Sequence, residues 1–205
     1  GEPFVNHFGR KYLFVMDFEA NCVKKGKLNP QEIVEFPVVP IDTVKQEIVP
    51  EMVFHTYIKP KHHALTPFCT ELTGITEDMV SKGVHLEIAL DMFEEHLKKH
   101  NVASEDFVFV TCGAWDLNTC LRNEAKFKNI NLPSHFRRFV NLKTIYSKTQ
   151  RATGKIGMVG MLAAMELELE GKHHSGIDDS KNIAKILCKI LKQGAFVNRA
   201  FEQKV

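Results

Sequence analysis

A chain of 205 residues supplies one large domain, and its 27 basic against 25 acidic side chains leave a formal charge of only +2. That balance excludes the strong basic field of a tight, non-specific duplex binder, but not an enzyme that handles a short piece of nucleic acid. The five cysteines (Cys22, Cys69, Cys112, Cys120, Cys188) are odd in number and lack C-x-x-C spacing, which argues against a disulfide framework or a zinc ribbon. They favour a reducing, intracellular setting, cytoplasmic or nuclear. No apolar run approaches the roughly 20 residues that span a bilayer, and there is no signal-peptide pattern, so no membrane is expected. The first residue is glycine, as in a processed chain or a piece of a longer one.

Residues 1–10 read as a loose arm. The segment 11–19 is apolar on both faces, hence a central strand. A second strand spans 32–39, where Pro37 hints at an edge or bulge, and a third spans 46–59; the three suggest an antiparallel meander. Two short helical pieces follow, around 68–72 and 77–80. Apolar residues at 86, 89/90, 93 and 97 predict an amphipathic helix over 86–99. A fourth strand at 106–111 precedes a helix over 117–127, further helices over 142–149 and 158–167, and a last one over 178–193 that Gly194 stops. Strands first, then a strand among helices, describe one mixed α/β domain.

Acids inside apolar surroundings are costly unless paired, protonated or metal-bound. Asp17 and Glu19 follow the first apolar run. Two apart on a strand, they share a face about 6.5–7 Å from one another, within reach of two metal ions roughly 3.5–4 Å apart. The plainer alternative is a strand ending at the solvent boundary. Asp116 follows the fourth strand; it suits a helix cap, but also stands where α/β folds place ligands. Trp115 beside it is either core packing or a flat face for a base.

Near the end stands His173-His174-Ser175-Gly176-Ile177-Asp178-Asp179. The pairs His173/Asp178 and His174/Asp179 have equal spacing, and helix phase separates them. Steps of four, seven and eight from Asp179 reach Ile183, Ile186 and Leu187, a buried stripe. Steps of three, four and seven from Asp178 reach Lys181, Asn182 and Lys185, a solvent face. Asp179 therefore points inward, His174 is the candidate base, and His173 is an exposed neighbour. The remaining histidines (7, 55, 62, 63, 85, 96, 100 and 135) show no ligand spacing and are assigned to the surface. Arg137-Arg138 reads as a solvated helix face, with phosphate contact as the alternative.

Asp17-Phe18-Glu19, Trp115-Asp116 and His174 to Asp179 resemble the three motifs of DnaQ-like 3′–5′ exonucleases, in the DEDDh subgroup whose third motif carries histidine. The stretches 16–20, 30–37, 65–76 and 174–184 are closer still to the Eri-1 family, which includes the 3′ histone mRNA exonuclease, and nearest to its prion-protein-interacting branch. The resemblance covers 11–197, leaving 198–205 as a tail. It implies an RNase H-like fold, a mixed five-stranded sheet flanked by helices. It also implies a 3′–5′ exoribonuclease on single-stranded RNA 3′ ends, releasing nucleoside 5′-monophosphates. Asp17, Glu19, Asp116 and Asp179 would hold two Mg²⁺ or Mn²⁺ ions, oxygen ligands suiting these hard cations, and His174 would be the general base. Ala20, Phe68, Leu72, Thr73, Trp115 and His174 are candidates for gripping the terminal nucleotide. Two departures stand out: Lys172-His173 replaces a basic-Pro pair, and 151–171 matches poorly. The rivals are a non-catalytic nucleic-acid-binding or adaptor domain on the same fold, and a DNA exonuclease or oligoribonuclease. No feature names a protein partner.

Overall fold

A computed structural model describes residues 9–195 and 197–205. Strand β1 (Tyr12–Met16) divides the molecule by its alternation: Phe14 and Met16 enter one apolar core, Leu13 and Val15 the other. The short β2 (Glu19–Ala20) continues its line, and β3 (Ile33–Asp42) runs antiparallel to both. The other edge of β3 pairs with β4 (Glu47–Ile48) and β5 (Phe54–Tyr57). The expected third strand is thus split, at a turn that begins with Pro50. On its far side β1 pairs in parallel with β6 (Phe107–Thr111), β6 in parallel with β7 (Arg138–Asn141), and β7 antiparallel with β8 (Glu202–Lys204). The mixed α/β sheet therefore has eight strands among the described residues rather than five.

Four expectations are corrected here. Arg138 opens β7 instead of lying on a helix, its guanidinium bonded to the carbonyl of Ser104. The 198–205 tail contributes β8, and Arg10, assigned to the arm, is buried with Nε and Nη2 each 2.9 Å from the Glu202 carboxylate. His135 is no surface residue: it is 3% exposed and its Nε2 lies 2.8 Å from Glu94. Residues 1–8 of the expected arm, His7 included, lie outside the described residues.

The helices are α1 (Pro67–Thr73), α2 (Glu77–Ser81), α3 (Leu86–Lys99), α4 (Arg122–Lys128), α5 (Leu142–Thr149), α6 (Met158–Ala164) and α7 (Gly176–Lys192). A π-helical turn, Asp116–Leu121, leads into α4. Helix α3 buries Leu86, Ala89, Leu90, Phe93 and Leu97, as the spacing predicts, in an aromatic core with Phe14, Phe36, Phe107 and Phe109. Helices α5, α6 and α7 cover the opposite face of the sheet with an aliphatic core. Among the described residues no helix is long and apolar enough to cross a membrane.

Candidate active site

Register explains where the acids stand. Met16 faces Val38 and Glu19 faces Glu35, which puts Asp17 and Phe18 opposite Pro37 and Phe36. Pro37 has no N–H to give, and the ladder is interrupted there. The Phe18 N–H turns away and donates to Asp116 Oδ1 at 2.8 Å. Phe18 itself is in the aromatic core, so Asp17 and Glu19 project from the other face, toward α7.

Asp179 comes to meet them. It lies on the first turn of α7, 4% exposed, and carboxylate oxygens of Asp17, Glu19 and Asp179 lie within 4.8 Å of one another. Asp178 instead accepts the Lys172 N–H at 2.9 Å. Asp116, also 4% exposed, stands behind this triplet at the start of the π-helical turn.

Four carboxylates so placed cannot all ionise without a counter-charge. Burial, followed by the charges of Asp116, Glu19 and Asp179, lifts the Asp17 carboxyl well above the ordinary range. Burial and then Asp179 push Glu19 up to about 9. Asp116 rises to about 6 through burial, restrained by the Phe18 N–H. Asp179 is raised by burial and held back chiefly by His173. The donor set fits a hard divalent cation: all its atoms are oxygens, and two oxygens on one ion stand no more than about 4–5 Å apart at metal–oxygen bonds of about 2.0–2.6 Å.

The histidines close one side. His173 Nδ1 lies 3.2 Å from Asp179 Oδ1, and the His174 N–H donates to Asp179 Oδ2 at 3.0 Å. The two rings stack with centroids 3.9 Å apart. His173, read as a bystander, thus touches the acid. His174 has φ +70, a left-handed backbone that non-glycine residues adopt at a cost of order 1–3 kcal/mol when the surroundings enforce it. Burial, and then the neighbouring charge of His173, lower its imidazole below the ordinary value.

These groups line an open pocket of about 360 Å³, shared with Trp115, Lys143 and Met158. Trp115 is 42% exposed, a free face rather than core packing. Of the six expected nucleotide-binding residues the pocket wall contains Trp115 and His174; Ala20, Phe68, Leu72 and Thr73 stand outside it on β2 and α1. The Thr73 hydroxyl is spent locally, donating to the Cys69 carbonyl at 2.7 Å and accepting the Ile75 N–H at 3.1 Å.

Two residues went unnoticed as candidates. Lys143 is the one lysine or arginine in the pocket wall. It is held there through Asn141, whose Oδ1 accepts from both the Lys143 and the Gly113 N–H groups, at 2.9 and 3.0 Å. No local pattern announces that link, because β7 meets β6 only in the fold. Glu35, 1% exposed in β3, carried the same signal as Asp17, an acid inside an apolar run.

Known proteins resemble this chain in sequence and in fold. A family model described as Exonuclease (RNase_T) matches residues 14–187. The chain is 39% identical over 186 residues to human ERI1 exoribonuclease 3, covering 89% of this chain and 54% of that protein. It is 34% identical to the 3′-5′ exonuclease Snipper of Drosophila melanogaster, covering 90% and 70%. The solved nuclease domain of 3′hExo, a DEDDh family member bound to rAMP, superposes with a TM-score of 0.85 at 28% identity, over 92% of this chain and 95% of that one. The chain spans about half the length of the ERI1 exoribonuclease 3 relatives. An exonuclease family model over most of the sequence, an exonuclease relative matched over 70% of its own length and the superposition on the 3′hExo nuclease domain place this chain in the exonuclease family, among the ERI1-like members of its DEDDh branch.

Proposed function

We propose that this chain is a divalent-metal-dependent 3′–5′ exoribonuclease that shortens single-stranded RNA from its 3′ end and releases nucleoside 5′-monophosphates. The observation that carries the reading is the meeting of Asp17, Glu19 and Asp179 within 4.8 Å, with Asp116 behind them and an imidazole at the rim. The RNA preference leans on the ERI1 exoribonucleases and on the rAMP held by the 3′hExo nuclease domain. A binding-only role leaves unexplained why four acids and a strained histidine are kept together at a cost in charge repulsion.

Asp17, Glu19 and Asp179 would hold two Mg²⁺ or Mn²⁺ ions, with Asp116 reaching them directly or through water. Bound there, the ions supply Lewis acidity and neutralise charge at the phosphodiester. Asp17, crowded by the other acids, would be among the residues that hold the ions. His174, its proton affinity lowered by burial, accepts the proton of the attacking water on its imidazole. His173 holds Asp179 in orientation. Trp115 offers its exposed face to the terminal base, and Lys143 faces the phosphate.

The test is digestion of matched 5′-labelled RNA and DNA oligonucleotides, with Mg²⁺ or with chelator, and identification of the products. Stepwise shortening of RNA with mononucleotide release is expected, abolished by chelation and blocked by a 3′-phosphate. Internal cuts, or equal attack on the 3′-phosphorylated strand, would sink the exonuclease assignment; faster digestion of DNA would reverse the substrate.

A further inference from the structure

Strand β3 carries an acid that is no part of the metal-binding triplet. Glu35 faces Glu19 across the ladder and is 1% exposed. Its Oε1 accepts the Gly176 N–H and its Oε2 the Ile177 N–H, both at 2.9 Å. Oε2 is also 2.8 Å from Nε2 of His55, which reaches over from β5. Those two N–H groups open α7, and its own N-cap residue, Ser175, makes no side-chain cap hydrogen bond. A helix start leaves its first N–H groups without intrahelical partners and favours negative charge beside it. Here a strand supplies the cap that the helix lacks.

Close packing fixes the same point. A Cβ on Gly176 would lie 2.7 Å from the Asp17 carbonyl oxygen and 3.0 Å from the Glu35 carboxyl. The end of β1, the first residues of β3 and the start of α7 are therefore pinned at one place. Asp179 projects from the same turn, its own N–H donating to the Ser175 carbonyl at 2.8 Å.

We infer that Glu35, steadied by His55, is a positioning residue: it clamps the first turn of α7 so that Asp179 is presented to Asp17 and Glu19. The inference deepens the metal-dependent reading above and rests on it. Glutamine at 35 would offer one oxygen to two donors and turn an NH₂ group toward the other.

The discriminating experiment uses the full chain as Glu35→Gln, with Leu187→Ala as a control. Leu187 is fully buried on the same helix but remote from the cap. Mn²⁺ binding is followed by calorimetry, and amide exchange at Gly176 and Ile177 by NMR. A partner that orients a ligand typically contributes 10–100-fold in metal affinity. Glu35→Gln should therefore bind Mn²⁺ about 10–100-fold more weakly and exchange those two amides faster, whereas Leu187→Ala should melt lower yet keep the parent affinity. Parent affinity in Glu35→Gln, or an equal loss in Leu187→Ala, overturns the inference. If Glu35→Gln does not fold, His55→Ala replaces it: a smaller weakening of Mn²⁺ binding supports the clamp, and none overturns it. A parent chain that takes up no Mn²⁺ sinks the metal-dependent reading instead, and unchanged Gly176 and Ile177 exchange in Glu35→Gln then removes the clamp as well.

Discussion

The Asp17 carboxyl is held far above its ordinary range by burial and by the acids around it. Asp17→Asn removes a proposed metal ligand and one member of this crowded acid cluster. The variant should lose essentially all hydrolysis, while its metal-free form melts at or above the parent temperature. Melting with and without Mn²⁺ checks this: a variant stabilised by Mn²⁺ as much as the parent, or with normal turnover, contradicts the assignment. The two histidines separate by role. His174→Ala should lose about 10²–10⁴-fold in rate, whereas His173→Ala, which removes a hydrogen bond that orients Asp179, should bind Mn²⁺ about 10–100-fold more weakly yet turn over within several-fold of the parent once Mn²⁺ is saturating. Only the neutral imidazole accepts a proton, and the His174 pKa is lowered. Activity should thus rise with pH through a limb at or below roughly 6.5, and that limb should vanish in His174→Ala. A dead His173→Ala beside an active His174→Ala would exchange the roles. The acids were legible in the sequence because a charge inside an apolar run has few explanations, and helix phase turned Asp179 inward. Lys143 was not, since its place depends on a contact 28 residues away in sequence: Asn141 holding Gly113.

Helix α7 illustrates what elements add. Helix propensity alone favours alanine over glycine by up to about 1 kcal/mol, so Gly176→Ala would look stabilising on a linear reading. The Cβ would meet the Asp17 backbone at 2.7 Å, and overpacking of this kind typically costs about 1–3 kcal/mol. We expect net destabilisation by urea denaturation, with activity falling further than the lost folded fraction accounts for. A variant as stable and active as the parent would show that the helix start can shift freely. Helices α3 and α7 could be read from spacing because each buries one face, and β1 and β6 because each is an unbroken apolar run buried on both. Strand β7 could not: it is four residues long, opens with an arginine and follows a 3₁₀ turn. Strand β8 has no local signature either, as its partner is fixed by Arg10–Glu202 and the β7 edge. The π-helical turn was invisible for another reason: Leu117, Cys120, Leu121 and Ala125 keep the spacing of an ordinary amphipathic helix.

The whole molecule is two cores of different character sharing one sheet. Phe93 stands at the centre of the aromatic one, against Phe14, Phe36, Phe54, Phe107, Phe109 and Phe136. Phe93→Ala should cost about 3–5 kcal/mol in chemical denaturation; a loss under about 1 kcal/mol would mean that this layer is loosely packed. The active site lies on the seam between the cores. Asp17 and Glu19 project toward the aliphatic side and Asp179 arrives from it on α7. Asp116 belongs to a turn whose Leu117, Cys120 and Leu121 are anchored in the aromatic core. The seam would make a cation bound by these acids a late arrival in folding. A chain whose α7 has not yet docked on the sheet leaves Asp17 and Glu19 without Asp179 beside them, so Mn²⁺ should leave the refolding rate nearly unchanged and slow unfolding by almost the whole of the stability it adds. In stopped-flow measurements, a refolding arm accelerated by Mn²⁺ would show instead that the ligands assemble before the layers close.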